Sequence, residues 1–468
     1  MEFIKINPPE YVKEIVETLN NYNYKAYLVG GCVRDAILGR KCNDWDIATN
    51  ALPDEIQLIF LKNNFKVITT GLKHGTLTVG RKNCNSNEFC EVTTFRVDGE
   101  YKDNRHPEEV IFVDDIYKDL SRRDFTINAI AYDLENGVFI DPFNGLSDIN
   151  NKIIRAVNDA NLRFSEDALR MLRALRFSFV LNFCIEEKTF NAIKENAKLL
   201  DNVAWERKNT EFIKILNSNK QNLLQILKES TVLNILIPEF KDCYNFEQHN
   251  PAHIYDVFEH INMALNGLFI KFPEADIKTR LAVVFHDIGK PETFFVDEKG
   301  IGHFYGHGEC SERITKNILR RMKFDNKTIK DVCLLVKLHD YPIHKIKLSA
   351  RKLIQKVDFD EELLKSLIQI KEADNYGQNP DSPVIIASLE SLNEFKKILK
   401  EVWELGDTPS LKTLEINGND LLEIGWKGSE IKEELEKLLR TTTKSPVLNN
   451  RKFLINSSKS RFNEKNKN

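Results

Sequence analysis

Asp44 and Asp46 stand one residue apart in Asp44-Trp45-Asp46-Ile47-Ala48, a run that reads as a strand. Alternate side chains of a strand share a face, so both carboxylates point one way and Trp45 points the other. Two carboxylates on one face supply the hard oxygen ligands that Mg²⁺ prefers. Glu91, at the centre of the β-prone run Cys90 to Arg96, offers a third acid if that run lies beside the first. Upstream, Gly30 and Gly31 leave backbone N–H groups free to approach phosphate oxygens at the start of a helix, and Arg34 adds a forked cationic donor for a triphosphate. A lone D-x-D pair is weak evidence, and these surroundings are what turn it toward nucleotide chemistry.

Two further groups carry chemistry. Asp167, Arg170, Arg173 and Arg176 recur every third residue, which on one helix makes a drifting polar stripe able to meet a single ligand; Leu169, Leu172 and Leu175 between them suggest a packed helix. His260, His286, Asp287 and Asp374 fall in the order H…HD…D, two His and two Asp that suit a divalent metal such as Mn²⁺, Ni²⁺, Mg²⁺ or Fe²⁺. Phe285-His286-Asp287-Ile288-Gly289-Lys290-Pro291 resembles the signature of HD-domain phosphohydrolases. His307 and His339 are candidates for extra ligands or phosphate-facing groups, and His249, His253 and His303 have weaker claims.

These residues need elements to hold them. Val12, Ile15, Val16 and Leu19 are spaced as one face of a helix that leads to a strand at Ala26 to Val29 and the Gly30-Gly31 turn. Strands are expected at Asp44 to Ala48, Thr76 to Val79, Glu88 to Val97, Val110 to Val113 and Val138 to Ile140, so the first 150 or so residues read as α/β. Beyond Ile154 apolar-periodic helices dominate, with a loop-rich interval around Asp297 to His307. With 468 residues the chain is expected to form several domains. No apolar run is long enough to span a membrane, the N-terminus lacks a secretory pattern, and a cytoplasmic protein with no obligate protein partner is expected. The eight cysteines include no C-x-x-C pair and are expected to be reduced. A net charge of −3 excludes a uniformly basic nucleic-acid binder, so an RNA site must be a local patch. Lys452 to Asn468, with Lys459, Arg461, Lys465 and Lys467 among polar residues, offers such a patch, but that composition more often marks a solvated, disordered tail.

Leu28-Val29-Gly30-Gly31-Cys32-Val33-Arg34-Asp35 followed by Asp44-Trp45-Asp46 resembles the signature of the class II tRNA nucleotidyltransferase and bacterial poly(A) polymerase family, within the superfamily of DNA polymerase beta. Arg122 to Ala131 resembles the family's second motif, Asp141-Pro142-Phe143-Asn144-Gly145 its connection to the neck, and Glu166 to Phe177 its base-selecting motif. Val203 to Lys208 stands where the family carries a neck-bracing motif. Ile416 to Leu422 with Gly425 resembles the C-terminal segment that contacts the tRNA elbow. Four ordered motifs across residues 28–177 are far more specific than any one.

The resemblance implies a nucleotidyltransferase head with a mixed sheet over residues 1–154, a helical neck over 155–240, an HD domain over 241–378 and a helical body and tail over 379–468. It implies template-independent addition of CCA to tRNA from CTP and ATP by a two-metal mechanism, with Mg²⁺ at Asp44, Asp46 and Glu91 and a second divalent metal at the HD residues. Gly30, Gly31, Arg34 and Arg123 would hold the triphosphate, unless Arg123 instead pairs with Asp124. Asp167 and Arg170 would read the base, since an acceptor beside a donor fits cytosine and adenine but opposes guanine and uracil. Asp98 to Pro107 resembles the loop of members that add the full CCA. The competing readings are a poly(A) polymerase, a CC-adding or A-adding partial enzyme, and an HD phosphohydrolase with an RNA-binding head.

Overall fold

The computed structural model describes residues 5–42, 44–81, 88–99, 110–250 and 253–466. They form two compact units, Met1–Pro238 and Glu239–Asn468. Cys84 and most of the loop resembling the CCA-adding segment, residues 100–107, lie outside the described residues.

In the first unit the strands are β1 (Ala26–Val29), β2 (Trp45–Thr49), β3 (Phe65–Ile68), β4 (Thr76–Arg81), β5 (Phe89–Thr94), β6 (Arg96–Asp98), β7 (Val110–Phe112), β8 (Ala131–Asp133) and β9 (Val138–Ile140). Seven make one mixed sheet in the order β3-β4-β5-β2-β1-β8-β9. The β2–β5 pair is parallel and sets Asp46 directly opposite Glu91; the other pairs of this sheet are antiparallel. The expected strand from Glu88 to Val97 is interrupted at Phe95, which is fully buried, donates its N–H to the Thr49 carbonyl and accepts from Val113 N–H. β3 and β8, four and three residues long, were not expected.

The helix Glu10–Asn21 buries Val12, Ile15, Val16 and Leu19, the expected face. Helical segments follow the sheet: Ala160–Glu166, Leu169–Leu181, Glu187–Asn196 and Trp205–Leu216. A short parallel pair, Ile153–Ile154 with Cys184–Ile185, ties this layer together.

The second unit begins with the helices Val257–Lys271, Ile277–Phe285, His307–Arg321, Asn326–Leu338 and Glu361–Tyr376. The loop-rich interval contains a hairpin, Phe295–Val296 with Gly302–His303. Farther on, Leu414, Ile416, Leu421, Trp426, Leu438 and Leu454 form a separate core. The expected disordered tail is instead the helix Arg451–Lys465, which completes that core. Leu454 and Ser458 are buried, Trp426 Nε1–H donates to Ser458 Oγ at 2.9 Å, and Arg461 Nη2 pairs with the buried Glu434 at 2.7 Å. The lysines on its outer side gave a tail-like composition, while four apolar residues (Phe453, Leu454, Ile455, Phe462) supplied the packing face. Among the described residues no helix is long and apolar enough to cross a membrane, and the seven described cysteines are free thiols.

Candidate active site and metal centre

In the first unit a cavity of about 580 Å³ gathers residues from the first, second and base-selecting motifs: Gly30, Gly31, Arg34, Asp44, Asp46, Arg123, Asp167, Arg170, Arg173 and Arg176 all line it, whereas Glu91 and Asp141 to Gly145 do not. Gly30 is in the left-handed region at φ +77°, and a Cβ there would stand 2.8 Å from Arg123 Nη1. The turn thus needs glycine for its backbone and for the closeness of the arginine. The next residue opens the helix Gly31–Ile37, which carries Arg34. Arg34 is buried, donates from Nη1 to Asn128 Oδ1 at 2.6 Å and from Nε to Asp35 Oδ1 at 2.9 Å, and lies over the Phe177 ring.

Asp46 is half-buried, and Asp44, just before β2, is exposed. Burial pushes the Asp46 carboxyl up to about 6; Arg123 opposes this, while the negative charges of Glu91 and Asp44 reinforce it. A partly buried carboxylate beside two other acids is electrostatically short of positive charge, which is the condition a bound cation relieves. The three carboxylates do not close into a tight cluster: among the described residues, groups with all ligand atoms within 4.8 Å occur only in the second unit. Glu91 is exposed and stands at the register position opposite Asp46.

The arginines are held by a lattice of acids. Arg123 pairs with Asp119 at 3.2 Å and not with Asp124, its expected alternative partner. Asp124 instead accepts from Arg173 Nη2 at 2.7 Å, from Asn128 Nδ2 at 2.9 Å and from the Phe125 N–H at 2.8 Å. Burial works against the Asp124 anion, but Arg173 and these hydrogen bonds prevail and hold its pKa down at about 2.

The expected single helical stripe is broken at its first member. Asp167 (φ −136°, ψ 102°) ends the helix Ala160–Glu166, and the next helix starts at Leu169 with its N–H donated to Asp167 Oδ1 at 3.1 Å. The carboxylate is clasped by Arg207 at 3.0 and 3.3 Å. Arg170 donates to Glu166 Oε2 at 2.8 Å and to the Arg122 carbonyl at 2.9 Å, and Arg176 pairs with the buried Glu211 at 2.5 Å. Asn128, Asp119 and Glu211 carry this framework unannounced; Asn128 sits inside the second motif and Asp119 three and four residues before its arginines, but Glu211 has no local signal because its partner Arg176 is distant in sequence.

In the second unit His260, His286, Asp287 and Asp374 converge, as the H…HD…D order implies. His260 Nε2 lies 3.0 Å from Asp287 Oδ2 and 3.1 Å from Asp374 Oδ1. Asp287 is buried; Lys290 Nζ lies 2.7 Å from its Oδ2, while Oδ1 faces the His307 and His339 ring nitrogens at 3.4 and 3.3 Å without a hydrogen-bond partner. An unsatisfied buried carboxylate oxygen among imidazoles fits a divalent cation. Gly377 closes on the site because any Cβ there would strike His260 Nδ1 at 2.8 Å, and Gly289 of the signature because a Cβ would strike Ser311 N at 2.5 Å. His307 and His339 join Asp287 in a second group; His253 is half-buried beside His260, with its Nδ1 unpartnered. His303 pairs with Asp297 at 2.9 Å.

Against known proteins, the family described as Poly A polymerase head domain matches residues 26–155, and one described as Probable RNA and SrmB-binding site of polymerase A matches 182–244. A tRNA nucleotidyltransferase domain 2 family matches 304–457. The CCA-adding enzyme of Ligilactobacillus salivarius (strain UCC118) is 34% identical over 468 residues, covering 98% of each chain. That of Geobacillus thermodenitrificans (strain NG80-2) is 50% identical over 202 residues, 43% of this chain and 48% of that enzyme. The crystal structure of the Bacillus stearothermophilus CCA-adding enzyme in complex with CTP superposes with a TM-score of 0.71 at 29% identity, covering 99% of this chain and 100% of that one. Full-length similarity at this level, with the glycine turn, the carboxylates and the arginines gathered in one cavity, establishes that the chain belongs to the CCA-adding enzymes, nucleotidyltransferases that build the CCA end of tRNA without a nucleic-acid template.

Proposed function

We propose that the cavity of the first unit is where this chain adds C, C and A to a tRNA 3′ end, and that its own side chains choose the nucleotide. The supporting observation is the meeting of a glycine turn, an acid pair and the Asp167–Arg176 motif around one cavity of about 580 Å³. Asp44 and Asp46, with Glu91 opposite Asp46, are read as the ligands of Mg²⁺, which when bound supplies positive charge to the reacting phosphate and the attacking hydroxyl. The Gly30-Gly31 backbone and Arg34 and Arg123 hold the triphosphate and favour the departing pyrophosphate electrostatically.

Asp167 accepts from the exocyclic amine of cytosine or adenine while Arg170 donates to the neighbouring ring nitrogen. This stays possible because a carboxylate has about four lone-pair sites, of which the Arg207 clasp uses two and the Leu169 N–H one. Arg173 and Arg176 are tied to Asp124 and Glu211, so we assign them to fixing the base-reading segment as well as lining the cavity. The 1–154 head, 155–240 neck, 241–378 HD and 379–468 body division is retained as part of this reading. In the HD segment His260, His286, Asp287 and Asp374 are read as holding a second divalent ion, Mn²⁺, Ni²⁺, Mg²⁺ or Fe²⁺.

The test uses tRNA transcripts ending at the discriminator base, at C or at CC, with each labelled nucleoside triphosphate resolved to single additions. Two C and one A followed by a stop is the expected product; long A tails would favour a poly(A) polymerase, and CC alone a partial enzyme. Asp44→Ala with Asp46→Ala should reduce addition by on the order of 10³-fold or more, since several kcal/mol of charge stabilisation are removed. Asp167→Ala should raise relative use of GTP and UTP while CTP and ATP use falls, and unchanged selectivity would remove Asp167 from base reading.

A further inference from the structure

One aromatic ring of the first unit carries three guanidinium groups. Phe177, in the second half of the helix Leu169–Leu181, lines the cavity and is 5% exposed. The guanidinium carbons of Arg176, Arg34 and Arg173 lie 3.9, 4.8 and 5.4 Å from its centroid. All three fall within the range of about 6 Å over which the face of an aromatic ring attracts a cation. Like charges this close repel: burial pushes the Arg176 guanidinium below the ordinary arginine value and Arg173 adds to the shift, although Glu211 pairs with it. The ring is a neighbour that all three arginines share.

The ring is itself braced. Phe125, fully buried in the second motif, meets it edge-on at 5.9 Å and 81°, and the Phe125 N–H donates to Asp124 Oδ1. A second route joins two of the same arginines. Arg34 Nη1 donates to Asn128 Oδ1 at 2.6 Å, Asn128 Nδ2 to Asp124 Oδ1 at 2.9 Å, and Arg173 Nη2 to Asp124 Oδ2 at 2.7 Å. Arg34, Asn128, Asp124, Arg173 and Phe177 thus close a loop that ties the helix after the glycine turn to the helix of the base-selecting motif. Arg34 also donates from Nε and Nη2 to Asp35, but that residue is next along its own helix. Asn128 and Phe177 are therefore what connect Arg34 to the base-selecting side.

We propose that Phe177 is a positioning residue that couples base reading to the hold on the triphosphate: the helix that carries Arg170 sets the ring, and the ring sets Arg34. This deepens the proposed nucleotide site and rests on Arg34 as a triphosphate holder. A nucleotide whose base suits Asp167 and Arg170 leaves helix, ring and Arg34 in register. One whose base does not suit them displaces the helix and is gripped less well at its phosphates too. Discrimination between CTP and UTP then has a share that the monophosphates do not show.

The experiment uses the full chain, Mg²⁺ and a tRNA transcript lacking its CCA, and reads inhibition of CTP addition by pyrophosphate and by CMP. Phe177→Leu keeps an apolar side chain and removes the ring. It should weaken pyrophosphate by about three- to tenfold, the range of a cation–π contact, and leave CMP within about twofold. Arg34→Ala should weaken pyrophosphate at least as much, and the double variant no further, because Phe177 acts through Arg34. In Phe177→Leu the ratio of kcat/KM for CTP to that for UTP should fall by about three- to tenfold while the ratio of CMP to UMP inhibition stays unchanged. Phe177→Tyr, which keeps the ring, should hold pyrophosphate within about twofold of the unsubstituted protein.

A merely structural Phe177 would weaken CMP and pyrophosphate alike. That result, an additive double variant, a tyrosine variant as weak as leucine, or an unchanged CTP-to-UTP ratio overturns the coupling. If Arg34→Ala leaves pyrophosphate inhibition untouched, the reading of Arg34 as a triphosphate holder falls and the coupling with it; if Arg34→Ala acts and Phe177→Leu does not, the coupling alone falls. Should Phe177→Leu fail to fold, Phe177→Met, a longer side chain without a ring, reads the same comparison.

Discussion

At the scale of single residues, two carboxylates of the first unit are shifted in opposite directions, and each shift has a pH consequence. Asp46, raised to about 6 by burial and by its acidic neighbours, must lose its proton to ligate Mg²⁺. Below about pH 6 protons therefore compete with the metal, and the Mg²⁺ concentration giving half-maximal addition should rise by about tenfold per pH unit there and level off above pH 7. Glu91→Gln removes one of the raising charges and should move the inflection to lower pH; a Mg²⁺ requirement flat from pH 5 to 8 would contradict the assignment of Asp46 as ligand. Asp124 runs the other way. Its folded pKa of about 2 lies below the ordinary value of 3.8, so its contribution to stability is fully present above about pH 4 and is lost as pH falls toward 2. The difference corresponds to about 2 kcal/mol, and Asp124→Asn, which leaves Arg173 without its anionic partner, should cost about 3 kcal/mol at neutral pH and flatten that part of the acid dependence. Urea titrations of both proteins between pH 2 and 7 measure the two slopes.

At the scale of elements, the turn after β1 separates two glycines that look alike in sequence. Gly30 has φ +77° and a virtual Cβ 2.8 Å from Arg123 Nη1, whereas the virtual Cβ of Gly31 has ordinary contact at 3.6 Å and no left-handed φ. Gly30→Ala should cost about 1–2 kcal/mol in stability and, by displacing Arg123, lower kcat/KM for CTP by about 10- to 100-fold; Gly31→Ala should stay within a few-fold. Steady-state addition with both variants decides it, and equal effects would mean that the turn needs only a small residue and not the left-handed backbone. What could be read in the sequence follows the same division between local and distant. Ala26–Val29, Val138–Ile140 and the face of Glu10–Asn21 were legible because periodicity and the glycine turn are local signals. The cavity residues were legible because they fall in three of the four motifs that occur in order. The break at Asp167 was not, because three-residue spacing continues through it and only the Arg207 clasp and the Leu169 cap show that the helix stops. The C-terminal helix was hidden by its lysines, since its stability comes from Trp426 and Glu434 elsewhere in the chain.

At the scale of the molecule, the two compact units differ in what a chelator should do to them. The first holds its carboxylates apart at a cavity open to solvent, and its arginines and acids already pair with one another. The second buries Asp287 among four imidazoles, with Lys290 on Oδ2 and no hydrogen-bond partner on Oδ1, so its folded state without metal carries a desolvated polar cluster. Any ion that binds the folded but not the unfolded second unit stabilises it by mass action, about 4 kcal/mol when free metal stands at 1,000 times its Kd. Chains of several domains need not unfold in one step, so separate transitions are expected in calorimetry. The tryptophans distinguish them: Trp45 and Trp205 belong to the first unit, Trp403 and Trp426 to the second. Removing metal with EDTA should lower the Tm followed by Trp403 and Trp426, in a Trp45→Phe, Trp205→Phe background, by several degrees, and restoring Mn²⁺ should reverse the change. The transition followed by Trp45 and Trp205 in the complementary variant should move by less than about 1 °C, because a loosely spaced acid set, two of whose three members are exposed, gains little from the ion. Equal shifts in both would mean that the units unfold together, and no shift in either would mean that the His-rich cluster holds no ion in the folded chain.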